Sequence, residues 1–524
     1  MDPPDNALIV APGYGHYMTI QEAINAASNG SKIIVSPGLY SKPIKITKPG
    51  LIIEAKETNG EVQISVSRGP LISIRLNEGE TCTIKGFKLI HSGEKDENEE
   101  FDWLAKLKSK TDANCGVQIF GGNVIIEDCQ VTLSSIKAPM PAFFLNECQV
   151  HMSNCDVKGS LDISSTGIYA KDSNLAMQAC KIYKHKNSAV LLDCTPNNVV
   201  TISECAIVNN SRCGILCQNV EFAPTVQHNK IMQNEGAGVL IMNGNIAKIK
   251  ENDIKFNEVG IEIMDSNPVI TKNKIRCNFG SGIAIRSYMT GSSVKIFGNQ
   301  LYENENSIWI QGESCRSLIE DNPIICNNRK AGIRIEDSAN AEIRGNDIYE
   351  NICQGILMTT GTSAIIDKNC VYGNLRANIA CGSGKIIISE NRIYRGRCEG
   401  IFVFEGNGCE INSNEIYENN DGILVIESNL DIVKNLVHDN KRTGITIAGN
   451  GMCKVSENKA YRNTAVGFNI RDNVEGEILR NKAFENQIQI CLITRKKWDI
   501  KILRNENEWV GEVQLPLQYS CQIF

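Results

Sequence analysis

Between Asn414 and Ile447 the chain reads NEIYENNDGILVIESNLDIVKNLVHDNKRTGITI, and it makes the same statement twice: Asn-x-Ile/Leu, then Asn, then Gly-Ile-x-Ile/Val. The Gly slot recurs at Gly116, Gly167, Gly214, Gly238, Gly260, Gly282, Gly332, Gly355, Gly400, Gly422, Gly444 and Gly467. Ala142, Ala189, Ser307, Asn378 and Gln489 take its place in the remaining copies, and the steps run from 22 to 26 residues. The second signature precedes each slot, as in Asn252/Ile254/Asn257 and Asn346/Ile348/Asn351. A fixed period of this length is the mark of a solenoid.

Within each copy apolar residues alternate, as in Gly332-Ile333-Arg334-Ile335, which is the period of a strand. One period holds three short strands with turns, whereas a helical solenoid needs two helices that Asn, Gly and β-branched residues disfavour. The expected fold is all-β, a single-stranded parallel β-helix solenoid of about twenty coils. At roughly 4.8 Å per coil it would extend on the order of 95 Å. Asn and Gly are expected at the corners because both tolerate left-handed backbone. Stacked Asn amides would also bridge successive coils, and Ile and Val would fill the interior. Cys129, Cys155, Cys180 and Cys205 hold the slot that Asn229, Asn252 and Asn273 hold later, so they read as a cysteine stack continuing the Asn stack. Tetrahedral metal binding needs converging thiolates, and a ladder keeps them in file, so no metal or cofactor is expected.

Lys plus Arg total 54 against 60 for Asp plus Glu, a net charge of −6, which argues against bulk electrostatic binding to nucleic acid or anionic membrane. The N-terminal residues carry no secretory signature, and no apolar run approaches a membrane span. The 21 cysteines show no CxxC pairs or short disulfide framework and suit a reducing, cytoplasmic setting.

The run Tyr17–Ala55 adds a motif. Thr19 to Ile24 reads TIQEAI, followed by Val35, Pro37, Gly38, Tyr40, Ile44, Ile46, Lys48, Pro49, Gly50 and Leu51. It resembles the opening of the pectin-lyase-like right-handed parallel β-helix superfamily, and the downstream copies resemble that superfamily's repeats over nearly the whole chain. The resemblance implies a right-handed coil with an N-terminal capping helix. It specifies function poorly, because the superfamily holds lyases, hydrolases, esterases and non-catalytic adaptors. Thr19 and Glu22 form a capping box, with Ile20, Ala23, Ile24 and Ala27 on one face. The expected organisation is residues 1–31 as N-terminal segment and helix, 32–504 as β-helix with an insertion arm at 91–115, and 505–524 as an out-of-repeat C-terminal cap.

The strings that a galacturonase-like relative would show (Asn-Thr-Asp, Asp-Asp, His-Gly, Arg-Ile-Lys) do not occur. The surviving acidic pair is Glu405 and Glu427, each five residues after its Gly on consecutive coils, near the separation of about 5 Å of a retaining glycosidase. The plainer reading is two solvated turn residues, and no catalytic residue is assigned.

Surface positions carry more signal. Phe402, Phe404, Leu424 and Ile426 should point outward, with Leu240, Met242 and Met264 as a second group. Contiguous exposed apolar residues usually mark an interface, although a loop or the tail could cover them. Trp103, Leu104 and Leu107 give the arm a small apolar face. An aromatic column, Tyr349, Tyr372, Tyr394, Tyr417, His438, Tyr461 and Phe484, either stiffens a corner or stacks on sugars. The expectation is a non-catalytic intracellular scaffold binding partner proteins in a large cytoskeletal or ciliary assembly. The alternative is a carbohydrate-binding or polysaccharide-degrading protein.

Overall fold

The computed structural model describes residues 7–13, 16–57, 61–93, 114–134, 139–162, 164–219, 221–289, 291–494 and 506–514. The chain forms two compact units, Met1–Glu262 and Ile263–Phe524. Each is a stack of three-strand coils, and counted over both the coils number about twenty. In the first unit, Val190–Asp193, Val200–Ser203 and Ala206–Val208 pair in parallel with the three strands of the coil before them. In the second, Ile356–Met358, Ser363–Asp367 and Cys370–Tyr372 pair in the same way with Ile379–Cys381, Ile386–Ser389 and Arg392–Tyr394. The three columns of strands are called here the Gly-Ile file, the middle file and the Asn file. Alternate residues of every strand enter the coil: Ile356, Ile379, Ile401 and Ile423 are fully buried. Each such burial stabilises by about 1.5–3 kcal/mol.

The Asn side chains join coil to coil. Asn391 Oδ1 accepts from the backbone N–H (2.9 Å) and Nδ2 (3.0 Å) of Asn369 on the preceding coil. Asn369 Nδ2 also donates to the carbonyls of Ile343 (2.8 Å) and Asp367 (3.0 Å). A second ladder follows the Asn-file strand, where Asn374 Oδ1 accepts from Asn351 N–H and Nδ2, both at 2.9 Å. Among the described residues no buried Asn or Gln side-chain amide lacks a partner, as burial requires. The cysteine stack does join the ladder. Cys180 N–H donates to Cys205 Sγ (3.4 Å), and Cys205 N–H donates to Asn229 Oδ1 (2.9 Å). Each of the four thiols donates to the carbonyl two residues back at 3.1–3.3 Å, which is the bond an Asn Nδ2 makes there. Burial elsewhere pushes the Cys82 thiol up to about 12 and that of Cys148 to about 11, so these core thiols stay protonated.

Left-handed backbone is not where the composition suggested. The ladder Asn residues have ordinary φ, and the residue before each one is left-handed: Lys368 (54°), Glu390 (53°), Lys434 (57°) and Glu457 (59°). Asn is used for its amide, and the ladder forces the corner on whatever side chain precedes it. The slot glycines are not left-handed either. A Cβ on Gly332 would sit 2.7 Å from the carbonyl oxygen of Gly355, and one on Gly422 would sit 2.4 Å from that of Gly444. On these coils the next coil approaches too closely for a side chain at the slot.

The slot residue Asn378 shows how strict the ladder is. Its coil neighbour in the second ladder is Gly396, which has no side-chain amide and gives Asn419 Oδ1 only its backbone N–H (2.9 Å). Asn378 fills the gap from the side, accepting from Asn374 Nδ2 (2.8 Å) and donating to Asn419 Oδ1 (2.9 Å).

At the N-terminus, Ile20–Ala26 is the one α-helix among the described residues, with both halves of the Thr19/Glu22 capping box formed and Ile20, Ala23 and Ile24 buried. Lys48, from the motif after the first coil, ends it by donating to the carbonyls of Ile24 (3.0 Å), Asn25 (2.6 Å) and Ala27 (2.7 Å). Replacing Lys48 with Met should therefore cost about 1.5–3 kcal/mol, as for bonds from a charged donor. It should lower the urea midpoint of the full chain, and an unchanged midpoint would refute the role. The 1–31 segment also holds a strand, Leu8–Val10, paired in parallel with Lys32–Val35. At the other end, Glu508–Val510 and Val513–Gln514 pair in parallel with Lys482–Phe484 and Ile488–Thr494. These described residues therefore extend the repeat and do not stand outside it. Trp509 occupies the inward position over Ala483 and meets the Phe468 ring edge-on at 5.3 Å.

Candidate interaction surface

The outward positions of the Gly-Ile file in the second unit line up coil by coil. Leu357, Ala380, Phe402, Leu424 and Thr446 form one column, and Phe404, Ile426 and Ala448 form the next. Their inward neighbours Ile401, Val403, Ile423 and Val425 are fully buried, so Phe402, Phe404, Leu424 and Ile426 all face out on two adjacent coils. Phe402 and Phe404 are half-buried and lie ring against ring at 5.5 Å, tilted by 38°. Phe404 leans toward the preceding coil, where a Cβ on Gly382 would come within 3.3 Å of its ring. Leu424 is half-buried, Ile426 is 37% exposed, and Ala380 is closed off at 1%. These residues form one apolar stripe that is open to solvent.

The second predicted group divides. Leu240 and Met242 are half-buried on Ala237–Met242 of the first unit, and Met264, 37% exposed, belongs to the second. Trp103, Leu104 and Leu107 lie outside the described residues.

One feature of the outward face escaped sequence reasoning. In the first unit Phe144 and Tyr169 stand in the outward column that continues to Leu191, Leu216 and Leu240. Yet Phe144 is 1% and Tyr169 5% exposed, packed together and against Phe120. Alternation tells which way a side chain points and not whether that side is covered. Beside this cluster runs a polar groove of about 790 Å³ lined by Arg75, Glu147, Asp172 and Asn174 among others. Arg75 sits over the Phe120 ring at 4.5 Å. Burial first, and then the neighbouring carboxylates of Asp193 and Glu147, raise the Asp172 carboxyl against the opposing pull of Lys171.

The two glutamates weighed as a catalytic pair are exposed corner residues with left-handed backbone, Glu405 at φ 48° and Glu427 at φ 49°. They rim the apolar stripe. In the aromatic column, consecutive rings from Tyr349 to Phe484 stack at 4.7–5.2 Å with interplanar angles of 2–13°. The rings between the two ends spend both faces on each other, which leaves no face for a sugar and makes the column a corner stiffener. Among the described residues no group of three or more His, Cys, Asp and Glu is arranged to hold a metal ion. No helix there is long and apolar enough to cross a membrane.

With the coils, ladders and register established, comparison with known proteins decides the family. The family described as right-handed β-helix region matches residues 63–254, 166–324, 217–371, 288–429 and 331–488. The chain belongs to the right-handed β-helix family. A curated relative, F-box only protein 10 of Homo sapiens, is 30% identical over 115 residues, which are 22% of this chain and 11% of the relative. The chain thus matches only a small part of that protein's length. Among solved structures, this β-helix is similar to a pectin methylesterase from Aspergillus niger at 14% identity, covering 48% of this chain and 86% of that one with a TM-score of 0.35. It is similar to a pectate lyase at 13% identity, covering 56% and 78% with a TM-score of 0.37.

Proposed function

We propose that this β-helix is a non-catalytic scaffold that binds protein through the outward stripe of Phe402, Phe404, Leu424 and Ile426, within a larger cytoplasmic assembly of cytoskeletal or ciliary type. The observation that carries the reading is the stripe itself. Four large apolar side chains on adjacent coils face outward, while their inward neighbours Ile401, Val403, Ile423 and Val425 are fully buried. The rigid Asn-laddered coil beneath holds their spacing fixed, so little ordering entropy is spent when a partner docks.

The test is affinity purification of the full chain and of a Phe402→Glu/Phe404→Glu variant from gently lysed cells, with co-purifying proteins identified by mass spectrometry. Both side chains are half-buried at the surface, so the variant should fold, which its circular dichroism will check. The expected result is that proteins held by the wild type at 0.5 M salt fall at least about tenfold, as for loss of a hot-spot pair. Undiminished retention would remove the stripe from this account. Release of sugar fragments from a panel of acidic polysaccharides would overturn the non-catalytic reading.

A further inference from the structure

The apolar stripe has edges of opposite charge. At the corner that leads into the Gly-Ile strands stand Arg376, Arg397, Lys441 and Arg442, all exposed. Four carboxylates share that side, Glu399, Glu418, Asp421 and Asp439, all half-buried. Glu418 and Asp439 are already paired with Arg395 and Arg462. Asp421, which like Glu399 opens its Gly-Ile strand, faces Arg442 at 3.6 Å. At the corner that follows the strands stand Glu405 and Glu427, exposed, with no basic residue at the same corner of either coil.

This layout is complementary to itself in one orientation. Take two copies face to face, related by a two-fold axis lying in the contact plane. If the axis runs along the strands, the basic edge of one copy meets the basic edge of the other. If it runs along the stacking direction of the coils, strand directions reverse across the contact and each basic edge meets an acidic one. Identical coils then oppose each other. On the coil of Phe402 the match is close, because Arg397 lies four residues before Ile401 and Glu405 four after it. A two-fold axis over the backbone at Ile401 therefore sets Arg397 of each copy against Glu405 of the other, with the Phe402 side chains beside the axis. Such an isologous contact is the commonest route to a closed dimer.

From these observations we propose that the partner of this face is a second copy of the chain, docked side by side with its coils parallel and in register. The proposal rests on the reading of the stripe as a protein-binding face and names its occupant. From the coil of Arg376 to that of Arg442 the face measures roughly 20 Å along the stack and about 20 Å across. That is below the ~800 Å² per partner of a standard interface, which sets the expected dissociation constant in the micromolar range.

The experiment is analytical ultracentrifugation of the purified full chain at about 1 to 100 μM, with Arg397→Glu, Glu405→Arg and Phe402→Glu variants, alone and mixed. The wild type should pass from monomer to dimer over this range. Each single charge reversal places like charges opposite each other twice per dimer and should weaken self-association at least about tenfold. An equimolar mixture of Arg397→Glu with Glu405→Arg should dimerise again, because both contacts then pair opposite charges. The Phe402→Glu variant should remain monomeric at low and high salt. A wild type that is monomeric throughout overturns the proposal. So does stronger association of Arg397→Glu alone, which is the signature of the antiparallel arrangement, or a mixture no better than its parts. If the wild type is monomeric yet the doubly substituted Phe402/Phe404 protein still loses partners in the purification above, self-pairing fails and the scaffold reading stands. If the wild type dimerises but the purified partners are unaffected, the reverse holds.

Discussion

Replacing Asn378 with Gly, the residue most other coils carry in that slot, should destabilise the second unit by about 2–4 kcal/mol. Asn378 is fully buried, and its amide is the bridge between Asn374 and Asn419. Removing it strips two buried amides of one partner each, at about 1–2 kcal/mol apiece because Asn374 Nδ2 keeps the Ile348 carbonyl and Asn419 Oδ1 keeps the Gly396 N–H. The opposite single change, Gly396→Asn, restores the consensus at the neighbouring corner but should also destabilise, because its Cβ would lie 2.8 Å from Asn378 Nδ2 and 3.0 Å from Asn419 Oδ1. The backbone at 396 is not left-handed, so Asn itself is tolerated there. The double variant should therefore recover most of the loss, since the ladder amide then comes from the usual position and the slot has the usual space. Urea midpoints of the full chain, wild type, two singles and double, complete the cycle. A double variant no more stable than its worse parent would show that the two positions do not exchange this role.

The second large effect is on pH. His185 occupies the second-ladder position before Asn210, whose Oδ1 accepts from the His185 N–H at 3.0 Å. Its ring is fully buried, and burial pushes its pKa down to about 4 against the weaker opposing pull of the Val157 backbone. The unfolded chain protonates this ring near pH 6.5, whereas the folded chain resists until about pH 4. Stability is therefore full above pH 6.5 and falls as pH drops between those limits, by about 3 kcal/mol in total. His185→Asn, which puts the ladder's own residue there, should remove that slope. His91 is also buried and also lowered by burial, but its Nε2 is bonded to the Gly69 carbonyl (2.7 Å) and its Nδ1 accepts from Gly93 N–H (2.9 Å). It leaves a residual slope of the same sign. Urea unfolding of wild type and variant from pH 7 to pH 4.5 makes the test. Parallel curves would mean that the His185 ring takes up its proton without opposing folding.

The coil period and the strand type were legible because inward residues must be apolar at every coil, and the same side chain then recurs each time the chain returns to that place. The Thr19/Glu22 box was legible because capping is local in sequence. The reason for the Asn was not. Its amide meets residues 22 or 23 positions away, and only the stacked coils show that Lys368 or Glu390, and not the Asn after it, carries the left-handed backbone. The apolar stripe was readable as direction, since Phe402 and Leu424 alternate with buried neighbours. Phe144 and Tyr169 have the same alternation and are nonetheless closed to solvent.

By itself, then, the sequence determined the class of fold, the number of coils, the register, the inward set and the continuity of the cysteine and asparagine ladders, because each of these repeats at a fixed interval along one chain. Tertiary structure alone decided three other matters: which corner residues bear the backbone strain, how Asn378 covers for Gly396, and which outward side chains remain in contact with water. These depend on distances between coils, and a period counts coils without measuring the space between their side chains.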